Sequence, residues 1–133
     1  MLWSKQTDLA LLLLRIVFGG MMLFNHGWGK VVQLITGDPA KFVDVVGMGA
    51  PASLALASFA EFLCAALVVF GLFTRWAVVP LIVTMLVAIF IIHWDDPFQK
   101  MELAIIYLTA FSAIGLTGPG WYSADAQLRK ILP

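Results

Sequence analysis

Cysteine is almost missing from this chain: Cys64 stands alone. An internal disulfide, a CxxC redox pair and a Cys-based zinc site are therefore excluded. Charge is scarce as well. Only 12% of the 133 residues are charged, against about 25% in soluble domains. The net charge is zero, which argues against a nucleic-acid partner. No small-residue cleavage site closely follows the first apolar run, so a retained span is expected there rather than a signal peptide. The local HxxxH spacing of a histidine metal site is absent, and so is the clustered MxxM pattern of a copper path. The length leaves room for one domain, residues 1–133, and no second.

What fills the chain is apolar: 62% of it is hydrophobic and the mean hydropathy is +0.96. Four runs, at about 9–34, 52–73, 76–93 and 101–116, are long enough to cross a bilayer. In lipid such runs must be helices, because nothing else satisfies their backbone. The expected fold class is all-α, an integral membrane four-helix transmembrane bundle whose first partner is the lipid bilayer. Pro80 falls in the first turns of span three, where proline is tolerated, and Gly118-Pro119-Gly120 stops span four. Trp3, Trp28, Trp76, Trp94 and Trp121 fall near span ends, as an interfacial belt requires.

The connections are short except the first. Asp38-Pro39 reads as an N-cap and first helical position. The following PAKFVDVVG predicts a short interfacial helix between spans one and two. Gly47, Gly49 and Pro51 then turn the chain into span two. The turn near Thr74-Arg75 forces spans two and three into an antiparallel hairpin. Ser123 is expected to cap a brief amphipathic tail, with Leu128, Ile131 and Leu132 opposite Arg129 and Lys130. Lys5, Arg75, Arg129 and Lys130 lie on one side of the membrane, and Lys30, Lys41 and Lys100 on the other. Basic residues favour the cytoplasm, so both termini are expected there.

Ionisable residues within or at the ends of spans are costly and need a reason. Arg15, Gly19, Met22 and His26 form one helical stripe that Lys30 extends. Gly19 would let another helix approach closely. In span two, Ala57, Ser58, Glu61, Cys64 and Ala65 share a small, weakly polar face. Arg15 sits about two turns above the cytoplasmic end of span one and Glu61 near the middle of span two, a difference a long Arg side chain could cover, so an Arg15–Glu61 pair or hydrogen-bonded network is expected. It would either fix helix register or hold Glu61 as a proton-handling carboxylate or headgroup ligand. A second cluster of His26, Lys30, His93 and Glu102 is expected towards the opposite surface. Three readings stay open for it: interfacial solvation, a headgroup or proton site such as a quinone would use, and a metal or haem site from the two histidines. Cys64 reads as a packing residue, and Tyr107 as a core aromatic able to bond a polar ligand.

The stretches LLLRIVFGGMMLFNHGWGK, GMGAPASLALASFAEFLCAALVVFGLFTRWA and TGPGWYSADAQL, in this order and spacing, resemble the DoxX family of small four-helix bacterial membrane proteins. The likeness runs from about Leu9 to Lys130. It implies the bacterial inner membrane as the location. It also implies signature polar residues at Arg15, His26 or Gly27, Lys30, Glu61, Thr74, Arg75, Ser123 and Asp125. The family takes its name from a subunit linked to thiosulfate:quinone oxidoreduction, and relatives are associated with thiol redox and oxidative stress. The paired cysteines of a dithiol–quinone relay are missing here, so a redox role would need a partner subunit or a bound cofactor; a protein partner or a homo-oligomer is expected. The leading expectation is a quinone-associated subunit of a membrane redox system, with enzymatic activity left open. A scaffold or assembly subunit and a small oligomeric transporter or proton pathway are the competing readings. The lack of an inverted repeat argues against a monomeric transporter.

Overall fold

The backbone of each apolar run satisfies its own hydrogen bonds, and each run is helical. The computed structural model describes residues 4–45 and 47–132. Among the described residues, four helices are long and apolar enough to cross a membrane: α1 (Lys5–Thr36), α2 (Ala50–Phe70), α3 (Thr74–Ile92) and α4 (Phe98–Thr117). A shorter α5 (Ala124–Ile131) follows them. Met22, Val68, Leu81, Phe111 and Ile114 form the buried centre between the four long helices. Phe24, Phe70, Trp76 and Leu116 face outward, as lipid-facing positions should.

The first helix starts where Ser4 Oγ accepts the Thr7 N–H at 3.2 Å. It runs for 32 residues, roughly 48 Å at 1.5 Å per residue, against roughly 30 Å of hydrocarbon. The excess at its start packs against the segment that follows α4, where Asp8 Oδ1 accepts the Trp121 N–H at 2.9 Å. Trp28 lies well inside the helix rather than near its end, with its ring 6.0 Å from that of Phe62. Trp76 and Trp94 bracket α3 and Trp121 follows α4, while Trp3 lies outside the described residues.

The connection from α1 to α2 departs from expectation. Asp38 caps it, accepting the Ala40 N–H at 3.1 Å, and Pro39 stands at the first position. The helix is only the single 3-10 turn Pro39–Lys41. No longer interfacial helix forms over the described part of PAKFVDVVG, and Val46 lies outside the described residues. Asp44 is the reason. Its carboxylate accepts the N–H groups of Gly47 and Gly49 at 2.9 and 3.1 Å and the Ser53 hydroxyl at 3.2 Å. These side-chain bonds tie the segment down as a loop over the start of α2, in competition with helix.

The other end of α2 is closed by a knot of long-range contacts. Gly71 adopts a left-handed φ of 71°, and the Leu72 N–H returns to Leu67 O at 2.9 Å, the usual glycine-terminated helix end. Asp125 then fastens the next turn. Its two oxygens accept the N–H groups of Phe73 and Thr74 at 2.8 and 3.0 Å, and its own N–H donates to Gly71 O at 2.8 Å. Ser123 caps α5 as expected, accepting the Ala126 N–H at 3.2 Å.

Arg15 sits in this knot, only 1% exposed. Its Nη1 donates to Val69 O at 3.3 Å and its Nη2 to Tyr122 O. Val69 lies in the last turn of α2, where carbonyls lack helical partners and the helix dipole is negative. The expected Arg15–Glu61 pair is therefore corrected. Glu61 lies about two turns before Val69 in α2, roughly 12 Å from it along the helix. The expected reach rested on a shorter first helix; because α1 begins at Lys5 and overshoots, Arg15 comes level with the end of α2.

Gly71→Ala tests the knot. The new Cβ would meet Arg15 Nη1 and stand 2.5 Å from Ser123 Cβ. A left-handed alanine alone costs about 1–2 kcal/mol, so a total loss of about 2 kcal/mol or more is expected in detergent unfolding. Gly20→Ala, with nothing within 4 Å of its Cβ, should leave stability nearly unchanged. Equal stability of the two variants would remove the knot from its structural role.

Candidate functional site

Glycine decides where α1 and α2 meet. A Cβ on Gly27 would stand 2.5 Å from Glu61 C and 2.7 Å from Phe62 N. Only a residue without a side chain permits this backbone-to-backbone approach. Gly19 serves the same contact nearer the knot, with a Cβ there meeting Val69 Cγ2 at 2.9 Å. Lys30 follows Gly27 by three residues and shares its face. Its Nζ reaches Glu61 Oε2 at 2.5 Å, with Glu61 itself 5% exposed. Lys30, rather than Arg15, is thus the counter-ion of the intramembrane carboxylate. The same ammonium also lies 3.4 Å from His26 O.

The helices widen at these residues. Arg15–Gly19 and Met22–Gly27 in α1, Phe59–Cys64 in α2 and Ala88–Ile92 in α3 are π-helical turns. Such turns are uncommon and gather at functional sites. Arg15, His26 and Glu61 each lie on one. The last three of these turns also border a single cavity.

That cavity has a volume of about 670 Å³, opens to the outside of the bundle and is lined by residues of all four long helices, with Phe42 and Val45 of the first connection beside it. Leu56, Val79, Val83, Met85 and Leu103 supply much of its wall. His26, Lys30, Glu61, Thr84, His93 and Tyr107 supply polar groups. Tyr107 is 2% exposed, its ring edge-on to His26 at 5.6 Å and to Phe18 at 5.9 Å. Among the described residues no protein group hydrogen-bonds the Tyr107 hydroxyl or the His26 imidazole.

His26, Lys30, Glu61 and His93 are therefore brought to one cavity, whereas Arg15 belongs to the knot and Glu102 is exposed. The helical repeat explains Glu102: α4 turns Lys100, Leu103, Ala104 and Tyr107 towards the cavity, an i, i+3, i+4, i+7 stripe that leaves position 102 off the face. Lys100 takes the place expected for it. Among the described residues no three His, Cys, Asp or Glu side chains come together in a way that could hold a metal ion. Sequence reasoning underweighted Tyr107, although it is the one tyrosine inside a span. Thr84 and Lys100 went unnoticed, for neither interrupts its surroundings in a way that marks it. Cys64 is buried and packs in the core.

At the edge of the cavity, His93 Nδ1 and Asp96 Oδ2 are 2.7 Å apart, and Lys100 Nζ lies 3.4 Å from Asp96 Oδ1. The His93 hydrogen bond, with help from Lys100, holds the Asp96 carboxyl below the ordinary carboxylate range against a smaller opposing effect of desolvation.

A protein-family model described as DoxX matches residues 10–94, most of the chain. The match takes in α1 from residue 10 onward, α2, α3 and their connections, and α4 and the Ser123–Asp125 segment lie beyond it. No curated protein and no solved structure matches the chain.

Gly27→Ala should force α1 and α2 apart and pull Lys30 from Glu61. Separating a buried pair costs about 3–5 kcal/mol, so a fall of that size is expected in denaturant unfolding in mixed micelles. A variant as stable as wild type would show that the close approach is dispensable. Asp96 yields a pH expectation. Because its folded pKa is depressed, its contribution is present above the ordinary carboxylate range and is lost as pH falls through the folded value. Carboxyl-carbon NMR should find the Asp96 midpoint below that of free aspartate, and His93→Ala should move it upward. An unmoved midpoint would contradict the hydrogen bond as its cause.

Proposed function

The chain belongs to the DoxX family, and from that premise we propose that it is a quinone-associated subunit of a bacterial membrane redox system. One observation carries the reading: a cavity of about 670 Å³ whose walls are apolar and whose polar groups include an ammonium, a carboxylate, imidazoles and a phenol. A quinone has an apolar ring and tail with two carbonyl oxygens, and the volume lies within the range of small-molecule sites. When bound, a quinone takes up two electrons and two protons to become a quinol.

The chain's own groups suit the holding and proton-handling parts of that exchange. The Lys30 ammonium has three N–H donors. One is directed at Glu61 and one towards His26 O, which leaves one for a ligand carbonyl. Glu61 can accept a hydroxyl proton, and His26 and Tyr107 can each hold or pass one. Cys64 is single and buried, so electrons would come from a partner. The same reading takes the inner membrane as the location, with both termini cytoplasmic. Lys5, Arg75, Arg129 and Lys130 on that side support it.

Native mass spectrometry of the protein in nanodiscs made with bacterial membrane extract tests the assignment, on wild type and on Glu61→Gln. About one quinone per chain is expected in wild type. Occupancy should fall at least about tenfold in the variant, since one charged hydrogen bond is worth about 1.5–3 kcal/mol. A wild type that retains a protein partner but no quinone would overturn the direct site and favour a scaffold. In that case Lys30–Glu61 would serve register alone.

A further inference from the structure

The opposite end of the bundle, where α1 and α3 begin and α4 ends, carries a second and larger opening that the cavity does not reach. It has a volume of about 850 Å³, and Lys5, Arg75, Arg129 and Lys130 line it. Among the described residues Asp8 is the one carboxylate in its wall, and that carboxylate is engaged by the Trp121 N–H at 2.9 Å. Four cations against one acid leave a surplus of three positive charges in one cleft. Three of the cations, Lys5, Arg75 and Arg129, have no hydrogen bond or ion pair among the described residues. The fourth, Lys130, lies 4.0 Å over the Trp121 ring and donates to Gln127 Oε1 at 3.1 Å.

This arrangement is not a chance spray of surface lysines. The cations come from three elements held together by the Arg15 knot. Asp125 fixes the first residues of α3, which set Arg75, and Ser123 fixes the start of α5, which sets Arg129 and Lys130. Arg75 lies along the cleft floor, with its Nε and Nη2 both 3.4 Å from where a Cβ on Gly118 would be. Beside the cations the wall turns apolar: Leu116 is 84% exposed and Trp121 51%. Cations next to exposed apolar side chains at the end of a membrane-spanning bundle match the chemistry of a lipid at the interface.

We propose that this cleft is a binding site for the phosphate of an anionic phospholipid, held by Arg75 and Arg129 with Lys5 and Lys130, while its acyl chain lies along Leu116 and Trp121. Arginine forms paired N–H bonds to phosphate oxygens, and a surplus of three charges selects an anionic headgroup over a zwitterionic one. A free phosphate offers the same oxygens but leaves the apolar wall uncovered.

The test uses the full chain in nanodiscs of equal phosphatidylglycerol and phosphatidylcholine, with native mass spectrometry reading the lipids retained. Wild type should retain phosphatidylglycerol in clear excess over phosphatidylcholine. Arg75→Gln and Arg129→Gln should each reduce that excess about fivefold, the effect of one basic residue at an anionic surface. Arg75→Lys should keep more of it than Arg75→Gln. Lys41→Gln, at the other end of the molecule, should keep all of it. Thermal unfolding of each variant separates lost binding from lost folding, since neither Arg75 nor Arg129 makes a hydrogen bond or ion pair among the described residues. Retention in the bulk lipid ratio by wild type would overturn the proposal, and so would an excess indifferent to Arg75→Gln. Calorimetric binding of inorganic phosphate in discs of phosphatidylcholine alone, lost in Arg75→Gln, would also overturn it and make the occupant a soluble anion.

Discussion

Much of this structure follows from two backbones touching where Gly27 crosses Glu61. Lipid offers no hydrophobic drive for one helix to join another, so close packing has to supply the association. The crossing brings α1 near enough for Lys30 to reach a carboxylate that would otherwise be stranded in hydrocarbon. It also settles which side chains surround the cavity, because His26 lies one residue before the crossing glycine and Glu61 lies opposite it. A larger residue at position 27 would disturb packing, charge pairing and cavity together. These three properties share one cause.

At the other end of the same helix pair, a buried cation is held through its two Nη atoms with no acid bonded to it, while its Nε has no partner among the described residues. Arg15 uses the carbonyls of Val69 and Tyr122, which are short of partners because one ends α2 and the other lies in a turn. The guanidinium thereby joins three stretches of chain far apart in sequence, while Asp125 joins its own segment to the start of α3 through the backbone N–H groups of Phe73 and Thr74. The two residues bond to the backbone at neighbouring points and not to each other. The terminal end is therefore held by backbone hydrogen bonds, which polar side chains in a low-dielectric setting strengthen. The far end is held by an ion pair.

The four spans, the glycine-proline stop after Thr117, the Asp38 and Ser123 caps and the α2–α3 hairpin were legible in sequence because each rests on local chemistry. Hydropathy needs only neighbouring residues, and a cap needs three or four. The Arg15–Glu61 pair misled because depth was measured from the apolar run, whereas the helix extends beyond it to Lys5. A helix longer than the bilayer can slide along its partner, and the register is then set by Gly19 and Gly27 against α2, a fact about packing. The interfacial helix misled for a similar reason: the pattern of PAKFVDVVG suits a helix, but Asp44 finds better partners in Gly47, Gly49 and Ser53. The π-helical turns leave no trace in the pattern of residues, and they aim His26 and Glu61. The membership of the site was thus half legible: His26, Lys30, Glu61 and His93 stand out as polar residues in apolar surroundings, whereas their partners do not.

The Lys30–Glu61 pair is itself lopsided. The Glu61 side chain is 7% exposed and that of Lys30 23%. A pair that served register alone would gain from burying both partners, and well-packed apolar residues often do as well or better. An ammonium that keeps part of its surface open onto a largely apolar cavity retains donor capacity the ion pair does not use. Burial of the acid and partial exposure of the base make the cavity wall a hydrogen-bond donor fixed in place by a buried anion. Such a group can hold an incoming carbonyl without first reorganising, because Glu61 already sets its position. The asymmetry therefore favours a ligand-binding role for this pair over a purely structural one.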